Sequence, residues 1–258
     1  MAEAKLVRTT VESGVGLLTL DDPNRRNILS ADMVEQLLAA MDALESDPAV
    51  SVVVITGAGP AFCAGAALGD LLSAADGNTA DVQRVYEGFL RVSRSPLPTI
   101  AAVNGPAVGA GMNLALACDV RIVADSAWFD TRFLSIGLHP GGGHLWLLER
   151  LVGPQTAAAM VLFGQRVTGP EAVPAGLALA SVPGDELADR AATLAAGAAR
   201  VDRELLRRTK NTLRTVVAEP QLTHEQVLAA ETQAQFWSLG LPSTAALLRD
   251  LRAKVSKN

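Results

Sequence analysis

The chain has 258 residues, 49% of them hydrophobic, which is enough for one large core or a core with a helical appendage. A net charge of −5, with 22 Lys plus Arg against 27 Asp plus Glu, argues against nucleic acid as the main partner and leaves room only for a local basic patch facing an anionic ligand. Cys63 and Cys118 form no metal or redox spacing, MAEAKLVRTT lacks a signal-peptide core, and no apolar run reaches membrane-spanning length, so a reduced, soluble, cytoplasmic protein is expected.

From the N-terminus, the runs Leu6 to Thr10 and Val15 to Leu20 flank Glu12-Ser13-Gly14 and predict a hairpin. Ser30 is a natural N-cap for a helix with Met33, Leu37, Leu38, Met41 and Leu44 on its core stripe, stopped by Asp47-Pro48. A strand over Val52 to Thr56 runs into Gly57-Ala58-Gly59-Pro60 and the loop AFCAGAAL, residues 61–68. Polar and small residues follow, broken at Gly77-Asn78, before a helix carrying Val82, Val85, Tyr86, Phe89 and Val92 that ends at Pro96 and Pro98.

Thr99 to Val103 reads as a strand broken by Asn104-Gly105-Pro106, and a buried helix starts at Gly109 with nothing bulkier than a methyl group at its opening. Such an open first turn can receive a developing negative charge, because its amides lack internal partners; close packing against a neighbouring helix is the alternative reading. A strand over Val120 to Ala124, the segment 128–140 and Gly141-Gly142-Gly143 lead to a helix with Leu145, Leu148 and Leu151, closed by Gly153-Pro154. From Glu186 the pattern is helical, with amphipathic runs at Leu187 to Arg200, Leu205 to Val217, Glu225 to Trp237 and Ser243 to Val255. The division expected is an α/β core over 1–185 and a helical C-terminal region over 186–258.

Three ordered stretches, AFCAGAxL, AAVNGPAVGAG and PGGGHLWLLERLVG, together resemble the crotonase (enoyl-CoA hydratase/isomerase) superfamily over nearly the whole chain. The resemblance implies an α/β fold, a crotonase-like spiral of ββα units. It implies an oxyanion hole for the thioester carbonyl of an acyl-CoA, with one backbone amide from each glycine loop, here those of Ala66 and Ala110. Ala64, Ala67, Leu68 and Gly109 stand beside those donors as substrate-binding positions. Arg25 and Arg26 sit where the family's loop approaches the CoA nucleotide, although such a pair is also common in a solvated turn. The substrate carries its own coenzyme A, so no separate cofactor and no metal are expected. The C-terminal helices are expected to build a homotrimer or a dimer of trimers, with neither a nucleic-acid nor a membrane partner.

The best-known hydratases of the family use two glutamates, and the positions that match them here hold Asn113 and Phe133. Neither side chain can take a proton, which weakens both the ordinary hydratase and the ordinary isomerase reading. Among the three histidines, His139 is the best placed acid or base, with a purely backbone-bonding role as the alternative; His144 is read as supporting His139 or the helix end, and His224 as a surface or capping residue. Asp70, Asp130 and Arg132 are further polar candidates, each readable as surface. An acyl-CoA carrier without chemistry, or a different acyl-CoA reaction such as hydrolysis, decarboxylation or C–C cleavage, stands as the alternative function.

Overall fold

Turn chemistry sets the first elements: β1 (Val7–Glu12) and β2 (Val15–Leu20) form an antiparallel hairpin whose Ser13 and Gly14 both take positive φ, 49° and 84°, as two-residue hairpin turns require. Helix α1 (Ala31–Ser46) begins where the Ser30 side chain accepts from the Met33 N–H, and it buries Met33, Leu37, Met41 and Leu44. The chain continues through β3 (Val52–Gly57), α2 (Leu68–Ala75), α3 (Ala80–Ser93), β4 (Thr99–Val103), β5 (Ala107–Val108), α4 (Ala110–Ala117), β6 (Val120–Ala124) and β7 (Trp128–Asp130). It then passes through α5 (His144–Leu162), β8 (Val167–Thr168), α6 (Gly169–Ala172), β9 (Ala180–Val182) and α7 (Leu187–Ala199) to α8 (Arg203–Ala218), α9 (His224–Leu239) and α10 (Pro242–Val255). This is a computed structural model, and it describes residues 4–219 and 221–255, so residues 1–3, 220 and 256–258 of the readings above lie outside the described residues.

Strands β1-β2-β3-β4-β6-β9 make one sheet, parallel from β2 onward, and β5-β7-β8 make a second. Parallel neighbours need crossovers, and a sheet covered on both faces needs apolar residues at successive positions, which is why β4 is buried from end to end. Helix α2, within the polar stretch after residue 69, is an element that composition alone does not announce.

By contacts the described chain forms two compact units, one ending at Ala199 and one beginning at Arg200; α7 lies in the first, where Leu187, Ala191 and Ala195 are buried and the helix packs along β2, β3, β4 and β6. Gly153-Pro154 ends the first helical piece of α5, as its turn chemistry predicts. The backbone leaves helical geometry at Gly153 (φ 73°, ψ 169°) and a second helical piece resumes at Pro154, a residue suited to a first turn. In the second unit α8, α9 and α10 are successive helices, with the Arg208 guanidinium 4.0 Å from the centre of the Trp237 ring. No helix among the described residues is long and apolar enough to cross a membrane.

The loop after β3 is held by two asparagines. Asn27, fully buried with φ 55°, accepts from the Asp22 N–H at 2.8 Å, and its Nδ2 donates to the carbonyls of Ala58, Ala61 and Phe62 at 2.9, 2.8 and 3.2 Å. From the opposite side Asn104 accepts from the Gly57 N–H at 3.0 Å and donates to the Gly59 carbonyl at 3.0 Å. Asn27→Ala strands buried carbonyls and should lower unfolding free energy by roughly 3 kcal/mol, measured by urea denaturation at constant slope; an unchanged midpoint would contradict the clamp.

Candidate active site

The two glycine loops meet through their backbones. Cys63 and Ala107 form an isolated parallel bridge, in which the Val108 N–H donates to the Cys63 carbonyl at 3.0 Å and the Cys63 N–H donates to the Pro106 carbonyl at 3.2 Å. Side chains have no room at the crossing. A methyl group at Gly111 would collide with the Cys63 carbonyl, and one at Gly65 would stand 2.8 Å from the Val108 oxygen and 3.6 Å from the Ala110 nitrogen. Gly65 and Gly109 also take φ of 100° and 53°, where a Cβ is strained.

Ala66 and Ala110, each the residue after one of these glycines, thereby border the same cavity of about 320 Å³. Ala110 is the first residue of α4, whose opening amides have no acceptor within the helix and lie at the positive end of its dipole. The other walls are apolar residues of α2 and α3, including Leu71, Ala74, Val82 and Val85, with Tyr86, and the segment after β7 with Phe133, Ile136 and His139. A second cavity of about 420 Å³, bordered by Arg26, Pro60 and Trp128, shares Ala64, Val108 and Arg132 with the first.

The expected site residues separate into two groups. Ala64, Ala66, Gly109, Ala110, Phe133 and His139 all line the first cavity, and Arg26 borders the second. Arg25, Ala67, Leu68 and Asn113 line neither. Arg25 is drawn to Asp22 in an ion pair at 2.7 Å, Ala67 is the N-cap of α2, and Leu68 points its side chain largely into solvent, 70% exposed. Asn113 is buried within α4. Of the further candidates, Asp130 is buried and accepts from both Arg132 and Arg166 at 3.1 Å, so its carboxylate is spent on holding arginines. Asp70 is held above the ordinary carboxylate range by burial and then by the charge of Asp81. Burial pushes the Cys63 thiol up to about 12, which leaves it protonated and non-nucleophilic.

One polar pair was not anticipated. Asn113 Nδ2 donates to the Gly141 carbonyl at 3.3 Å, which turns Oδ1 towards His144 Nδ1, 2.6 Å away. An amide oxygen only accepts, so Nδ1 carries the proton and Nε2 is a bare lone pair. His144 is 1% exposed, and its Nε2 is buried without a hydrogen-bond partner. Burial brings its pKa down to about 4, so the ring is neutral at pH 7. The Phe133 ring stands edge-on to the imidazole at 5.0 Å between centres. By contrast His139 is exposed, with Nδ1 2.8 Å from the Pro140 carbonyl. The signal for the pair was present as a lone asparagine in an otherwise apolar α4 and a histidine opening α5, but only the packing of α4 on α5 brings residues 113 and 144 together.

Comparison with known proteins agrees with this architecture. Residues 10–238 match the family model for enoyl-CoA hydratase/isomerase. The chain is 47% identical over 253 residues to the probable enoyl-CoA hydratase EchA14 of Mycobacterium tuberculosis, covering 96% of this chain and 98% of the relative. It is 37% identical over 196 residues to the 1,2-epoxyphenylacetyl-CoA isomerase of Escherichia coli, covering 74% of this chain and 75% of that protein. Among solved structures, an enoyl-CoA hydratase from Bacillus anthracis superposes with a TM-score of 0.89 at 28% identity, with 97% of each chain covered.

The depressed pKa of His144 has a thermodynamic consequence. The unfolded chain takes up a proton near pH 6.5 whereas the folded chain does so only near 4, so the stabilisation is complete above about 6.5 and is lost as pH falls from there to about 4, on the order of 3 kcal/mol. His144→Gln should therefore shrink the difference between urea midpoints at pH 7.5 and pH 4.5; an unaltered difference would show that the ring does not titrate as its burial requires.

Proposed function

Because this chain belongs to the enoyl-CoA hydratase/isomerase family and is an enzyme of it, we propose that it binds an acyl-CoA thioester between its two glycine loops and stabilises the enolate, the amides of Ala66 and Ala110 donating to the thioester oxygen. The observation that carries this reading is one cavity bordered by both residues, where the loops approach so closely that a Cβ on Gly65 would stand 2.8 Å from the Val108 carbonyl oxygen. Two preorganised donors aimed at a developing oxyanion act in a dry, low-dielectric site, where removing one costs about 10² to 10³ in rate. The relatives are themselves named for acyl-CoA substrates, which supports the same ligand class.

Coenzyme A enters as part of the substrate, and no separate cofactor or metal is proposed. Arg26, at the second and adjoining cavity, is the basic residue proposed to meet the nucleotide end; Arg25 helps by shaping the turn through Asp22. Ala64, Ala67, Leu68 and Gly109 shape the two loops and their exit into α2, while Phe133 closes the acyl side. Asn113 acts from behind the wall. His139, exposed on the cavity lining, is proposed to exchange a proton with the acyl group. With asparagine and phenylalanine where the family's hydratases hold glutamates, a different acyl-CoA reaction is the second reading.

The location proposed is cytoplasmic. The C-terminal helices are proposed to assemble the chain into a trimer or a dimer of trimers, supported by Leu213, Phe236 and Leu247, each more than 60% exposed. Light scattering should then give three or six times 26.8 kDa, and a monomer at micromolar concentration would remove the proposal. Crotonyl-CoA should bind but be hydrated at least about 100-fold more slowly than by a two-glutamate hydratase, followed as loss of enoyl absorbance. His139→Ala should lower kcat further with little change in binding. Hydration at the rate of a two-glutamate enzyme would overturn this reading.

A further inference from the structure

We propose that Tyr86 selects acyl chains that carry an uncharged oxygen, a hydroxyl or a ketone, by hydrogen-bonding that oxygen inside the cavity, a role that rests on the acyl-CoA reading of the cavity. Four side chains with polar atoms border this space, those of Tyr86, Thr131, Arg132 and His139. Two are committed elsewhere. Thr131 Oγ1 donates to the Met160 carbonyl at 3.1 Å, and the Arg132 guanidinium is paired with Asp130 at 3.1 Å. His139, with Nδ1 against the Pro140 carbonyl, is the residue proposed above for proton exchange. The Tyr86 hydroxyl is left over. Among the described residues, the buried side-chain atoms without a partner are Asp22 Oδ2, Asp70 Oδ2 and His144 Nε2, so the Tyr86 hydroxyl, which makes no hydrogen bond within the chain, is open rather than sealed in.

Its place is built. A Cβ on Gly141, which borders the same cavity, would collide with the Tyr86 oxygen, and one on Gly142 would collide with the edge of the Phe89 ring. Phe89 is fully buried and its ring stands 5.7 Å from that of Tyr86, tilted by 51°. The two glycines and Phe89 therefore fix the ring before a ligand arrives, which spares the ordering cost of binding. The rest of the wall narrows the ligand. Leu71, Val82, Val85, Ile136 and Leu138 can cover hydrocarbon but offer nothing to an oxygen, and an oxygen that leaves water without a new partner is penalised. A phenol hydroxyl removes that penalty, since it can donate to a ketone and can both donate to and accept from an alcohol. A carboxylate is not matched in the same way, because Arg132 is the only arginine or lysine bordering the cavity among the described residues and it already faces Asp130. A plain hydrocarbon chain strips water from the Tyr86 hydroxyl and returns nothing, so discrimination runs towards the oxygenated chain.

Calorimetric titration with hexanoyl-CoA and with its 3-hydroxy, 5-oxo and 6-hydroxy derivatives measures the preference directly. At least one derivative should bind the wild-type chain about 10-fold or more tightly than hexanoyl-CoA, a comparison that needs no variant. Tyr86→Phe keeps the ring and removes only the hydroxyl, and it should cut that advantage to about 2-fold or less by weakening the oxygenated ligand. Hexanoyl-CoA binding as tightly as every derivative overturns the inference. So does an advantage that persists in Tyr86→Phe, which would assign the oxygen to another group. Adipyl-CoA, with a carboxylate at the chain end, binding more tightly than all of them would assign the selection to Arg132 and overturn it as well. Failure of hexanoyl-CoA and all its derivatives to bind overturns the acyl-CoA reading itself.

Discussion

The structure around the cavity depends on a backbone crossing that two asparagines, one of them fully buried, hold in place. Asn27 and Asn104 grip the loop after β3 from opposite sides, each using both its oxygen and its nitrogen, so the loop's carbonyls are satisfied without help from a regular element. With the loop fixed, Cys63 can lie against Ala107 and Val108, and the start of α4 comes close enough that Gly111 has no space for a Cβ. Glycine is needed here for proximity more than for flexibility. The amides proposed as oxyanion donors sit on either side of this crossing, so their spacing is set by hydrogen bonds far from the ligand.

Behind that crossing the polar groups differ in kind from a pair of carboxylates. Asn113 and His144 form a neutral unit inside an apolar wall, and neutrality is what the wall permits: a carboxylate there would need water or a cation, and Phe133 offers neither. Burial lowers the histidine pKa, and the Asn113 amide fixes which nitrogen keeps the proton. Positive charge is placed elsewhere. Arg132, with φ 59°, and Arg166 share the buried carboxylate of Asp130, and Arg166 also lies 4.5 Å from the centre of the Trp128 ring.

Much of this was legible in the sequence because the signals are local. Runs such as TIAAV, the Ser30 cap, the Asp47-Pro48 stop and the helical repeats after Glu186 act within a few residues, and the elements formed where those signals stand. The glycine loops were legible as well, since no other residue type tolerates both the positive φ and the close approach found at Gly65. What periodicity leaves open, a long-range contact decides. Helix α7 looks like its C-terminal successors by periodicity, yet it belongs to the first unit because its Leu187, Ala191 and Ala195 face the sheet. Gly153-Pro154 reads as a stop, and the backbone does leave helical geometry at Gly153 before a second helical piece begins at Pro154.

By itself, then, the sequence determined the longer strands and most of the helices, the two glycine loops and the absence of glutamate at positions 113 and 133, all of which follow from residue identity and spacing along the chain. Only the tertiary structure decided that Arg25 turns to Asp22 while Arg26 borders a cavity, that His139 is exposed, and that His144 is buried with Nε2 unpartnered. The physical reason is that a side chain's hydrogen-bond partner and dielectric surroundings are set by elements distant in sequence: 31 residues separate Asn113 from His144, and only the packing of α4 on α5 closes that gap to 2.6 Å.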